Sequence, residues 1–166
     1  MGSIENLKEA FAGESQANRK YIAFARKAEA EGKPQVARLF RAAAEAETVH
    51  ALAHFKVLKG VKSTAENLQE AIKGEGFEYK EMYPKFLEEA QKEGNSDAVE
   101  SFGNALEVEQ IHHGLYSKAL KEVQAGKDLP AAKIFVCSVC GNTVLDKAPA
   151  ECPICGSPRS KFMEIA

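Results

Sequence analysis

With 166 residues, 45% of them hydrophobic, the chain is long enough to bury a core. Its 22 basic and 24 acidic residues nearly cancel, so no basic excess draws it to nucleic acid or to anionic lipid. The start, MGSIENLKEAF, has no apolar signal core, its sixth residue is Asn where a myristoylation motif has Ser or Thr, and no apolar run reaches membrane-spanning length; a cytoplasmic protein is expected.

Apolar residues recur at helical spacing from Leu7 through Phe11, Tyr21 and Phe24 to Ala28, which predicts a first helix behind a Ser3 cap and ending at Gly32. Pro34 suits the first turn of a second helix, running through Leu39, Phe40 and Val49 to Leu58 and stopping at Gly60. A third begins near Thr64 and continues through Leu68, Ile72, Met82 and Phe86 to Gly94, with a break or kink between residues 73 and 84 where Gly74, Gly76 and Pro84 weaken it. Ser96 can cap a fourth through Phe102, Leu106, Ile111 and Leu120, closed by Gly126. The reading is a four-helix bundle over residues 1–127, a linker over 128–133 and a small module over 134–166. That module consists of short β-branched and aromatic runs between turns, too small to fold without a metal.

All four cysteines lie in this module, as Cys137-x2-Cys140-Gly and Cys152-x2-Cys155-Gly. In a reducing compartment two such pairs argue for one tetrahedral thiolate site over disulfides, and the spacing suits a zinc ribbon as well as an iron centre. On the helices, Glu47-x2-His50 and Glu109-x2-His112 each put a carboxylate and an imidazole on one face. Glu14 shares a stripe with Leu7, Phe11 and Tyr21, and Glu78 and Glu81 supply a carboxylate pair on the third helix. No matching stripe of Lys or Arg occurs on these apolar faces, and two cations would neutralise several carboxylates at once. Glu-x2-His motifs on facing helices are the ligand plan of di-iron carboxylate bundles. His113 lies about 100° around the helix from His112 and is set aside, as is His54.

From GESQANRKY through AEAETVH, GEGFEYKEMYP and EVEQIHH to CSVCG and CPICG, the sequence resembles a rubrerythrin along essentially its whole length. The resemblance implies a ferritin-like di-iron four-helix bundle with a C-terminal rubredoxin-like β domain. It implies two iron ions bridged by Glu47 and Glu109, with Glu14 terminal on the first and Glu78 with His112 on the second. Glu81 and His50 would exchange at one iron as its oxidation state changes, a hard carboxylate suiting ferric iron and neutral imidazole tolerating ferrous. Tyr21 would hydrogen-bond a carboxylate ligand. A third iron would sit on Cys137, Cys140, Cys152 and Cys155, with zinc as the alternative.

The same resemblance implies a non-haem peroxidase that reduces hydrogen peroxide to water, an oxidative-stress function in which the four-cysteine iron relays electrons. The electrons would come from a rubredoxin or a NAD(P)H-dependent reductase. Two other classes compete: a ferroxidase or iron-binding protein, and a structural zinc protein. Because helices two and three run parallel in a ferritin-like bundle and the connection between them is short, the expected assembly is a homodimer or larger homo-oligomer in which chains exchange helix pairs.

Overall fold

The computed structural model describes residues 2–166, and the chain divides into two compact units, residues up to 62 and residues 63–166. The first unit is a pair of helices, α1 (Ser3–Ala30) and α2 (Pro34–Val57). Gly2, not Ser3, caps α1, and the Glu5 carboxylate accepts a hydrogen bond from the Gly2 N–H at 3.1 Å. Gly32 reverses the chain with φ +70, a left-handed angle that only a residue without Cβ takes cheaply, and Pro34 then opens α2. The fully buried residues of the pair are alanines, Ala25, Ala28, Ala37, Ala44 and Ala51, so small side chains let the helices approach closely. Asn18 ties them, donating to the Ala44 carbonyl at 2.7 Å and to Thr48 Oγ1 at 2.8 Å.

The second unit opens with α3 (Thr64–Phe77), capped by Ser63, whose hydroxyl accepts from the Glu66 N–H while the Glu66 carboxylate accepts from the Ser63 N–H at 3.2 Å. The third helical segment does not break. It passes through a π-helical stretch, Glu78–Met82, into α4 (Tyr83–Glu93). Pro84 has no N–H, and its ring would meet the Lys80 carbonyl in a regular α-helix. The wider turn, closed by the Tyr83 N–H on the Glu78 carbonyl, accommodates it. Gly94 ends α4 in the left-handed region, and Asn95 caps α5 (Ser96–Gln124), accepting from the Ala98 N–H at 3.1 Å. Tyr83, Phe86 and Phe102 pack where α4 meets α5.

After the linker, β1 (Ile134–Cys137) is the centre of a three-stranded antiparallel sheet, between β2 (Thr143–Leu145) and β3 (Phe162–Ile165). The fold class is the one expected: a mostly helical chain of four long helical segments, the third formed by α3, the π stretch and α4, with a small C-terminal sheet carrying four cysteines. Among the described residues no helix is long and apolar enough to cross a membrane.

Candidate metal centres

In the first unit α1 presents Glu14 and α2 presents Glu47 and His50, whose ligand atoms lie within 4.8 Å of one another. His50 Nδ1 is 3.0 Å from Glu47 Oε2 and 3.9 Å from Glu14 Oε1. Glu14 and Glu47 act on one another: the hydrogen bond with Glu47 raises the Glu14 carboxyl, and the hydrogen bonds with Glu14 and His50 lower that of Glu47. Two acids this close to an imidazole form an anionic pocket in need of positive charge. Tyr21 packs its ring against Phe24 and Phe40, with centroids 6.3 and 6.2 Å away. The charge of His54 is the last among the influences on Glu14 and lowers its carboxyl.

In the second unit a matching group forms from Glu75 on α3 and Glu109 and His112 on α5, again within 4.8 Å. His112 Nδ1 is 2.8 Å from Glu109 Oε2. Burial, the hydrogen bond and charge of Glu109, and the charge of Glu78 push the Glu75 carboxyl up to about 7. Glu78 is raised as well, by burial and then by Glu109. The pair expected on this segment is Glu78 and Glu81, and the gathered carboxylate lies one helical turn before Glu78. Glu75 is the carboxylate gathered with Glu109 and His112, Glu78 faces them, and Glu81 is exposed. At about 100° per residue Glu75 lies close to the Leu68 direction of α3, whereas Glu81 falls on the far side. The heptad step from Leu68 to Glu75 was the signal that could have chosen among three acids spaced three apart.

Sequence reasoning also missed two tyrosines. Burial and the charges of Glu78, Glu109 and Glu75 raise Tyr83, which the π turn brings round to the face of Glu78. Tyr116, one turn past His112, is raised by burial and then by Glu75 and Glu109. Both phenols therefore stay protonated near neutral pH and can donate hydrogen bonds. His113 has a packing role, meeting Tyr79 edge-on at 5.3 Å and lying 3.4 Å from where a Cβ on Gly76 would stand. The outer nitrogen of His112, Nε2, is 2.9 Å from Thr143 Oγ1 on β2.

The third group is formed by Cys137, Cys140, Cys152 and Cys155. Cys137 and Cys155 Sγ are 3.7 Å apart and Cys140 and Cys152 Sγ 3.6 Å, far beyond a disulfide. Those separations match the edge of a tetrahedron, about 3.8 Å for metal–sulfur bonds of ~2.3 Å. Gly141 and Gly156, at φ +87 and +70, take the left-handed turn after each pair. Burial alone would raise the Cys152 thiol, but the N–H groups of Cys155 and Ile154 and the Asn142 amide bring it down to about 6. Burial keeps the Cys140 thiol well above its ordinary value. The four-cysteine group and both carboxylate–imidazole groups fit iron, in rubredoxin-like and di-iron sites respectively.

Comparison with known proteins agrees with this geometry. The rubrerythrin family model matches residues 5–120, and the rubredoxin-like domain of rubrerythrin matches residues 135–163. Rubrerythrin-2 of Clostridium acetobutylicum is 39% identical over 94% of this chain and 92% of its own length. Nigerythrin of Nitratidesulfovibrio vulgaris is 36% identical over 96% of this chain and 85% of its own. The solved structure titled as the fully reduced, all-ferrous state of nigerythrin superposes with a TM-score of 0.59 at 34% identity, covering 99% of this chain and 87% of that one. Helical and cysteine-bearing parts are thus matched together, in the same order, and the chain belongs to the rubrerythrin family.

Proposed function

We propose that the chain is a non-haem di-iron peroxidase that reduces hydrogen peroxide to water, taking up two electrons and two protons per peroxide. The observation that carries this reading is the convergence of Glu75, Glu109 and His112, with Glu78 beside them, in a unit that also carries a tetrahedral four-thiolate group. Glu14, Glu47 and His50 with Glu75, Glu78, Glu109 and His112 would hold two iron ions, and the four cysteines a third. When bound, the paired ions would supply the two electrons that break the oxygen–oxygen bond, and the thiolate-held iron would restore them singly from a rubredoxin or a NAD(P)H-dependent reductase.

The protein groups then have separate tasks. Glu47 and Glu109 would each be shared by both ions, and Glu14, Glu75 and His112 would each hold one. Glu78 would take the role expected of Glu81, a second carboxylate from the third helical segment that alternates with His50 according to oxidation state. Tyr83 keeps its phenolic proton and orients carboxylate oxygens by hydrogen bonding.

The seven ligands come from both helix pairs, and chain length favours taking them from two chains. α2 has 24 residues and spans about 36 Å at ~1.5 Å per residue. Residues 58–63, the connection to α3, reach roughly 20 Å at ~3.3 Å per residue, too short to run back along α2. Residues 65–72 are helical and lend no slack. The pair α1–α2 buries alanines and leaves Leu39 70% and Leu52 59% exposed, surface that a second pair would cover. A cytoplasmic dimer that exchanges helix pairs satisfies these constraints.

The test is to load the chain with ferrous iron under anaerobic conditions, count the metal, and supply reduced rubredoxin with peroxide. Three irons per chain and two electrons consumed per peroxide are expected. Turnover with oxygen but not with peroxide would make the protein a ferroxidase, and a colourless zinc-filled four-cysteine site would remove the relay.

A further inference from the structure

We propose that Thr143, carried by the four-cysteine module, is a positioning residue for His112. Its hydroxyl accepts a hydrogen bond from the His112 Nε2–H and so commits Nδ1 to metal binding. This inference rests on the di-iron reading of Glu75, Glu109 and His112.

The placement of single protons decides the tautomer. Thr143 Oγ1 lies 2.9 Å from His112 Nε2 and 3.2 Å from the Gly141 carbonyl oxygen. A hydroxyl has one hydrogen, and a carbonyl can only accept. With that hydrogen on Gly141, only lone pairs face the imidazole, so the Nε2–H donates to Thr143. The other nitrogen, Nδ1, faces Glu109 Oε2 at 2.8 Å inside the group that includes Glu75, and the proton shared across that contact is the one a bound cation displaces, leaving a neutral ring with its lone pair on Nδ1. Thr143 therefore does for this histidine what an outer carboxylate or carbonyl does for most metal-bound histidines, fixing tautomer and ring orientation.

The support comes from the redox module, not from the helices. Thr143 stands three residues past Cys140, in a segment held firmly from both sides. A Cβ on Gly141 would stand 3.6 Å from Val108 of α5, one turn before His112. Asn142 is 1% exposed and donates its side-chain amide to Cys152 Sγ at 3.5 Å. Four consecutive residues thus run from a thiolate ligand of one centre to the hydrogen-bond partner of an imidazole ligand of the other.

Thr143→Val keeps the β-branched shape and removes the hydroxyl, and Thr143→Ser restores it. Full-length chains are compared by anaerobic ferrous iron uptake against a competing chelator, and by nuclear magnetic resonance of the His112 ring in the zinc-loaded chain. The valine variant should bind iron at the helix-borne site about 10- to 100-fold more weakly, the usual cost of losing a ligand's outer partner, with unchanged iron–thiolate absorption. It should also lose the protected Nε2 proton, and serine should recover both properties. Uptake of three irons by wild type and valine variant alike, with the same ring proton in each, would overturn this inference alone. Uptake by the wild type at the four thiolates only would overturn the di-iron reading and the inference with it.

Discussion

Glu75, Glu78 and Glu81 are chemically alike and equally spaced, and only their direction separates them. Glu75 and Glu78 point toward Glu109, where burial and like charge raise both, while Glu81 points to solvent. Glu81→Ala should therefore leave peroxide turnover intact and change stability by no more than about 0.5 kcal/mol, as surface substitutions do. Glu78→Ala should keep its iron, because six ligand residues remain, yet reduce peroxide at least about tenfold more slowly. Steady-state peroxidase assays on the two variants check both statements, and equal rates would return Glu81 to the site. The raised Glu75 carboxyl also has a consequence for the metal-free protein. Its folded-state value near 7 lies above the ordinary value of 4.5, so between these limits the folded chain holds a proton that the unfolded chain has lost. Stability from this group is then present at low pH and falls as pH rises through that window. The Tm of the metal-free chain should fall more steeply from about pH 5 to pH 7 than that of Glu75→Gln, with the difference vanishing on metal loading; parallel slopes would mean that Glu75 is not so perturbed.

At the scale of elements, the helix limits were legible because glycines, prolines and capping residues stand where the apolar period stops, and the structure moves the caps by a single residue, from Ser3 to Gly2 and from Ser96 to Asn95. The four-cysteine knuckles were legible for a similar reason, since ligand spacing and the following glycine are local. What could not be read was the π stretch Glu78–Met82, because Pro84 signals trouble without saying whether the helix breaks, kinks or widens. That choice sets where Glu78 and Tyr83 point. Nor could the contact between His112 and Thr143 be read, a pair separated by 31 positions whose meeting depends on how the module lies against α5. We expect the four-cysteine module to fold on its own metal, so Cys155→Ser should abolish the iron–thiolate colour and donor-linked turnover and leave the helical circular dichroism intact. Loss of the helical signal together with the colour would show that the bundle depends on the module.

For the whole molecule, the two carboxylate–imidazole groups lie on separate compact units, and on the proposed reading each is half of a di-iron site that a second chain completes. Glu47→Ala and Glu109→Ala chains, each inactive alone, should recover activity when unfolded together and refolded with iron. In an exchanged heterodimer one site carries both lesions and the other carries none. Heterodimers that form without activity would contradict the exchange. The central claim, that one chain couples a peroxide-reducing di-iron site to a thiolate-held iron, is tested most directly by rapid mixing. The fully reduced protein is mixed anaerobically with one equivalent of peroxide, or separately with oxygen, while the iron–thiolate absorption is followed. The account predicts fast return of the visible colour with peroxide and slow return with oxygen; colour that returns faster with oxygen, or not at all with peroxide, would contradict it.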